Sequence, residues 1–414
     1  MQVVLYEDGR HRSFGPLTSF RPVFALRCGA LRLHEKLEAR RPGWTVRLLP
    51  REELREVFSE ECPGRGVEGL SGGPTLLLSA RVVPDTGLLD VLDGLTGETL
   101  LVSGGEVVGA RIERDIGKRV EVLRLSGGDA SATALDATAD VPARTVLRPW
   151  DLVSLTPAEI RADALASGRL GQAHGSVHPG AHLVEPDRIA VGERSSIGPG
   201  AVIDATSGPV LVGEGVTVMA NAVVMGPAAV GNRSVVKVGA KIYPGTSVGE
   251  MCKVGGEVEG SVLESYSNKQ HEGFLGHSYV GSWVNIGAAT DNSDLKNNYG
   301  SVRVEIDGES VDTGLTFVGA TIGDHTKTAI GTKLTTGTVV GVFCNVLSAG
   351  FAPRAIPAFS WGTPNGYEPY DVDKALDAAR RVMARRDHRL SAAAESLIRG
   401  VHAEGRAERG GTRA

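Results

Sequence analysis

Branched aliphatic residues return at every sixth position through the middle of this chain: Val212, Val218, Val224, Val230, Val236, Ile242, Val248 and Val254. Helices repeat at 3.6 residues and ordinary strands at 2, so neither has that period. It fits coils in which each hexad is one short strand and a corner, three hexads closing one triangular turn around inward aliphatic side chains. The residue after several of these positions is glycine, which lets the chain turn tightly. A second run, Thr316, Ile322, Thr328, Leu334, Val340 and Val346, resumes the interval. Between the runs Phe274, Val280 and Ile286 keep the spacing but are displaced by two residues, which predicts an insertion looping out between Gly255 and Gly273 with His271 at its end. A further excursion is expected over Asp291 to Leu315, carrying a strand at Val302–Ile306 and a tight turn at Asp307-Gly308. Loops that leave a rigid solenoid are where function is normally placed.

The first 166 residues read differently. Val3–Tyr6, Leu76–Ser79 and Thr99–Ser103 are short apolar runs, with helical spacing at Leu31, Leu33, His34 and Leu37 and a second short helix over Glu52–Phe58. That alternation predicts an α/β domain over residues 1–166. A closing helix is expected at Pro157–Ala166 with Thr156 as N-cap. A Gly-rich linker follows over 167–180, then the β-helix over 181–352. Pro353 and Pro357 predict an extended arm that opens the final segment, 353–414, and Val372, Ala375, Leu376, Ala379, Val382 and Met383 an amphipathic helix that caps the prism.

Composition narrows the chemistry. A formal net charge of −5 argues against a dedicated nucleic-acid or membrane-surface binder, and no signal-like or bilayer-length apolar segment is visible, so the chain reads as cytoplasmic. Cys28, Cys62, Cys252 and Cys344 lie far apart, without disulfide or zinc spacing.

The stretch Gln270-His271-Glu272-Gly273-Phe274-Leu275-Gly276, followed by Val284-Asn285-Ile286-Gly287-Ala288 and by Asn298-Tyr299, resembles the acetyltransferase site of GlmU-type bifunctional enzymes, most closely the bacterial variant with a shortened N-terminal domain. The resemblance implies a left-handed β-helix in a homotrimer, acetyl transfer from acetyl-CoA to glucosamine-1-phosphate, and a Mg²⁺-dependent uridylyl transfer at the N-terminus. It implies His271 as the base, Asn285 and Asn298 as orienting groups, and Tyr299 in the acceptor pocket. Lys241, Lys253 and Arg303 fall near the family's phosphate-binding cations, while Arg354 and Thr332 fall to coenzyme A. Phe274 departs from the tyrosine that better-known enzymes use against the sugar phosphate.

The N-terminal match is Tyr6-Glu7-Asp8-Gly9-Arg10, then Pro16-Leu17-Thr18 and Arg21-Pro22, where the family carries a Gly-rich nucleoside triphosphate loop. It assigns Asp8, Gly9, Arg10 and Arg21 to the nucleotide and Asp85 to Mg²⁺. Only one glycine of the loop survives, so few backbone N–H groups could cradle phosphates. Trp150-Asp151-Leu152 implies an inter-domain packing element. Three alternatives stand beside this reading: an acyltransferase with a degenerate N-terminal domain, a γ-carbonic-anhydrase-type metalloenzyme using His271, His277 and His325, and a structural trimeric scaffold.

Overall fold

The computed structural model describes residues 1–67, 70, 73–125, 135, 137–347 and 350–411, with side chains as far as residue 405. Two compact units divide the chain. One is Met1–Phe14, Phe20–Leu26 and Arg32–Arg148; the other takes Gly15–Ser19, Arg27–Leu31 and Pro149–Ala414.

The first unit is α/β. Gln2–Tyr6 lies between Thr45–Leu49 and Thr75–Ser79, parallel to both, and Glu106–Ile112 runs antiparallel between Thr75–Ser79 and Thr99–Ser103. Thr138–Asp140 completes the six-stranded sheet. The central strands are buried on both faces, which is why they read as unbroken aliphatic runs. Around them are helices α1 (Leu33–Arg40), α2 (Arg55–Glu61), α3 (Thr86–Asp93) and α4 (Ile116–Leu125). Glu52–Leu54 is a single 3-10 turn leading into α2, and Leu31 lies outside α1.

The second unit opens with α5 (Pro149–Ser167), eight residues earlier than the spacing predicts. Thr156 is therefore inside the helix and not its cap: its hydroxyl donates to the Leu152 carbonyl at 2.7 Å and accepts from Gly29 N at 3.2 Å. Trp150 packs within this unit, against Val302, Val304, Ile306, Val318 and Val339. The residues expected to be a linker already enter the solenoid at Ser176–Val177, and the coil continues past residue 352 through Ala355–Ile356 to Ser360–Thr363.

Three faces of parallel strands form the prism: sheets of six, six and nine strands, the first continued in the later coils by Lys327–Thr328, Asn345–Val346 and Ser360–Thr363, the second by Asp291–Asn292 and Lys333–Leu334. The expected aliphatics fill its interior, from Val212 and Val218 to Ile242, Val248 and Val254. Thr316, assigned to the second run, is exposed; the inward series there begins at Ile322. No loop leaves the prism between Gly255 and Gly273. The chain instead shortens its corners, placing Val258, Leu263, Lys269 and Leu275 inward in unbroken register. Gly256 and Gly260, both at positive φ, permit these tight corners. Phe274 accordingly faces outward and Leu275 inward. The second excursion is real: Arg303–Ile306 and Glu309–Asp312 form an antiparallel hairpin, with Asp307 and Gly308 both left-handed at its turn.

One corner, between the nine-stranded sheet and the first sheet, carries a column of large residues in left-handed conformation: Tyr266, Trp283, His325, Phe343 and Phe359. Tyr266 stacks on Trp283 at 4.2 Å, and Phe343 on His325 and Phe359 at 4.5 and 5.1 Å. Each such φ costs about 1–2 kcal/mol, which ring stacking offsets. Helices α6 (Val372–Ala384) and α7 (Ala392–Gly411) follow the coil. The segment they form reaches this corner: His388, beyond α6, meets Tyr266 and Trp283, and His402 of α7 meets Phe359.

Candidate functional site

His271 stands on the corner between the first and second sheets, its side chain exposed. Its backbone is fixed: Lys269 Nζ donates to the His271 carbonyl at 2.6 Å, and Glu272 O accepts from Ala289 N at 2.8 Å. Gly256, one coil below, passes so close that a β-carbon there would lie 2.6 Å from His271 O. Lys269 occupies an inward position where neighbouring coils place Val254 and Ile286. Burial lowers its pKa to about 8, against the pull of Glu272 and Asp291 toward the charged form.

The outward column beside His271 is polar. Lys253, Asn268, Asn285 and Lys327 stack one above another on the first sheet. Arg386, just past α6, donates to Met251 O at 2.8 Å and to Asn268 Oδ1 at 3.0 Å, which brings its guanidinium over this face. Burial lowers the Lys253 pKa, and the nearby charges of Arg386, Lys237 and Arg385 lower it further. Among the described residues these four cations have no carboxylate partner, so the face favours an anion. Lys241 lies on the second sheet, paired with Glu257, which in turn pairs with Phe274.

Other assigned residues are placed apart. Asn298 Oδ1 accepts from Gly300 N at 3.1 Å, closing its own turn, and Tyr299 is left-handed and 73% exposed. No hydrogen bond or ring contact joins either to His271 among the described residues. Arg303 is held across the hairpin by Ser310 O at 2.9 Å and lies near Asp312. Thr332 is buried, its hydroxyl donating to Ala329 O at 2.8 Å, so it shapes a corner and presents nothing to a cofactor. Arg354 is exposed on the last coil, its carbonyl accepting from Val339 N. The three histidines of the metalloenzyme alternative go to separate surroundings: His271 to solvent, His277 to Asp294, and His325 into the aromatic column.

In the first unit Asp8 is buried and committed. Its carboxylate accepts from Ser79 Oγ at 3.1 Å, Arg81 Nε at 3.0 Å and Arg10 N at 3.0 Å. Arg10 pairs with Glu106 at 2.9 Å, and the same carboxylate group lies 3.5 Å from Arg81. Gly9 opens a 3-10 stretch with open space at its α-carbon, and Arg21 is half-buried. Asp85 is the N-cap of α3: it accepts from Leu88 N at 2.9 Å and pairs with Arg144 at 3.1 Å.

Residues 3–169 match the family model described as sugar nucleotidyl transferase. A bifunctional GlmU protein of Synechococcus sp. (strain CC9311) is 29% identical over 183 residues, 44% of this chain and 35% of that protein. A bifunctional sugar-1-phosphate nucleotidylyltransferase/acetyltransferase of Sulfurisphaera tokodaii is 28% identical over 117 residues, 28% of this chain and 29% of that one. Over these stretches the chain is similar to bifunctional GlmU proteins. Its matches thus span about a third of these relatives' own length. Among solved structures, a UDP-N-acetylglucosamine acyltransferase from Francisella novicida has 14% identity and TM-score 0.30, over 52% of this chain and 73% of that one, a likeness too distant to bear on the site.

Mg²⁺ does not fit the residue assigned to it. Both Asp85 oxygens are engaged, and no group of three His, Cys, Asp or Glu able to hold a metal exists among the described residues. Sequence reasoning missed Arg81, Glu106, Lys269, Arg385 and Arg386. An arginine after an apolar strand and basic residues past an amphipathic helix carry no local signature of a site.

Proposed function

We propose that the coil transfers an acetyl group from acetyl-CoA to the amine of a sugar phosphate, glucosamine-1-phosphate being the acceptor that the resemblance of the His271 motif implies. The observation that carries this reading is the exposed His271 on a pinned corner of the face where Lys237, Lys253, Arg385 and Arg386 gather, without a carboxylate partner among the described residues. The cations would hold the phosphate, and Asn268 and Asn285 would meet sugar hydroxyls. The amine nitrogen attacks the thioester carbonyl, His271 takes the proton it sheds, and the coenzyme leaves as a thiolate that is then protonated. His271 lies open on a single chain, which fits a pocket completed by neighbouring copies, and a homotrimer is our expectation. Arg354 on the last coil would face a phosphate of coenzyme A. We place the reaction in the cytoplasm, where acetyl-CoA is held.

The test is coenzyme A release from acetyl-CoA and glucosamine-1-phosphate by the full chain. His271→Ala should lower kcat by about 100-fold or more; unchanged turnover would remove His271 from the chemistry.

For the N-terminal unit the reading is uridylyl transfer: a sugar phosphate oxygen attacks the α-phosphorus of a nucleoside triphosphate and pyrophosphate leaves. The match over residues 3–169 supports it. A second reading, that this unit no longer catalyses, is favoured by one observation: Asp8, Arg10 and Arg81 neutralise each other with Glu106, and Asp85 caps a helix. Pyrophosphate release from UTP and N-acetylglucosamine-1-phosphate separates the two.

A further inference from the structure

His277 sits in left-handed conformation at the corner after Phe274–Gly276. Its Nδ1 lies 2.7 Å from Asp294 Oδ2, and its ring stacks on Phe317 at 5.3 Å between centroids and 30° between planes. An ionised carboxylate only accepts, so Nδ1 carries the proton and donates it to Asp294. Asp294 and Phe317 flank the two ends of the excursion. Beneath the side chains the backbone closes the same gap: Val318 N donates to Asp294 O at 2.9 Å, Gly319 N to His277 O at 2.8 Å, and Leu295 bridges Phe317 antiparallel. The segment between them carries Asn298, Tyr299 and the hairpin.

We propose that His277 is a positioning residue, whose imidazole clamps both ends of the 294–317 segment and so fixes where Asn298 and Tyr299 meet the sugar acceptor. The assignment rests on the acetyltransferase reading for its effect on catalysis, though not for the clamp itself. A ring that only filled a corner would need neither the hydrogen bond to one end of the segment nor the stack on the other. Among the described residues no hydrogen bond or ring contact joins the His277 side chain to His271, so its influence is on acceptor placement and not on proton transfer. A misplacement of about 1 Å in such a segment is enough to cost up to 100-fold in rate.

The experiment compares His277→Leu, which keeps bulk and loses the donor, with His277→Asn, whose side-chain amide can donate to Asp294 from nearly the same place. Both are first checked for a native circular-dichroism spectrum and thermal transition. His277→Leu is expected to raise the KM for the sugar phosphate about tenfold, leave the KM for acetyl-CoA within about twofold, and speed amide deuterium exchange over residues 294–317 without speeding it in the coils. His277→Asn should recover most of the KM. Unchanged exchange in His277→Leu overturns the clamp. A fall in kcat with neither KM moved overturns positioning in favour of a direct catalytic role. If the unaltered protein releases no coenzyme A with any sugar phosphate, the acetyltransferase reading falls, and the exchange measurement alone decides the clamp.

Discussion

The coils before Val254 and those after it are built on one plan and spend it differently. From Val218 to Val254 each turn takes eighteen residues, as Val218, Val236 and Val254 follow one another on the first sheet. From there to Lys269 a turn takes fifteen, and between Val280 and Ile322 one turn swallows the whole excursion. The regular part holds aliphatic residues inside and, outside, the lysines Lys237, Lys241 and Lys253. The irregular part holds a lysine inside and gathers His271, Asn285, Asn298 and Tyr299 within thirty residues. A stiff stretch of uniform coils gives support, and under the proposed function the departures from uniformity would carry the base, His271.

That division can be broken at four points. The largest effect is expected in the regular part: Ile242→Ala, which empties a fully buried inward position, should cost about 2–5 kcal/mol of stability in denaturant unfolding, with the KM values of the folded fraction unchanged. Next is His271→Ala, with its loss of about 100-fold in kcat, set against Arg233→Ala, an exposed corner residue of the regular coils that should leave turnover intact. Equal losses in the two would erase the distinction.

The third concerns Lys269. Its folded pKa, about 8, lies below the unfolded value near 10.5, so between those pH values the unfolded chain binds the extra proton and stability rises with pH. Lys327, which burial also lowers to about 8, adds to the same window. Lys269→Met should therefore flatten the rise by about 1–3 kcal/mol, read from unfolding midpoints between pH 7.5 and 10.5; an unchanged slope would mean the amine is not desolvated. The smallest effect is Lys253→Ala, expected to raise the KM for the sugar phosphate about tenfold, with less difference from the unaltered protein at high salt.

Much of this plan was legible in the residues. The inward series from Val212 to Val254 was exposed by its period, and the hairpin by the Asp307-Gly308 turn between alternating residues. What escaped notice has physical reasons. A change of spacing after Val254 looks the same whether residues are inserted or removed, and only the glycines at 256 and 260 hinted that the chain could turn sooner. Lys269 hid because an inward lysine breaks the aliphatic rule, its head group escaping to a carbonyl at the corner. Asp85 and Thr332 were misread because an N-cap and a buried corner hydroxyl use the same atoms as a metal or cofactor ligand. Arg386 reaches Asn268 from 118 positions away, beyond any local pattern.

The aromatic column has a consequence for how this solenoid can change length. From the nine-stranded sheet to the first sheet the inward residues are always six apart, as in Val248 to Val254, Leu263 to Lys269, Val280 to Ile286, Ile322 to Thr328 and Val340 to Val346, whatever the length of the rest of the turn. That edge is the mast of the structure. Residues can be lost or whole hairpins grafted at the other two edges without disturbing it, whereas one residue added beside Trp283 would unseat a rung and, with it, the purchase of His388.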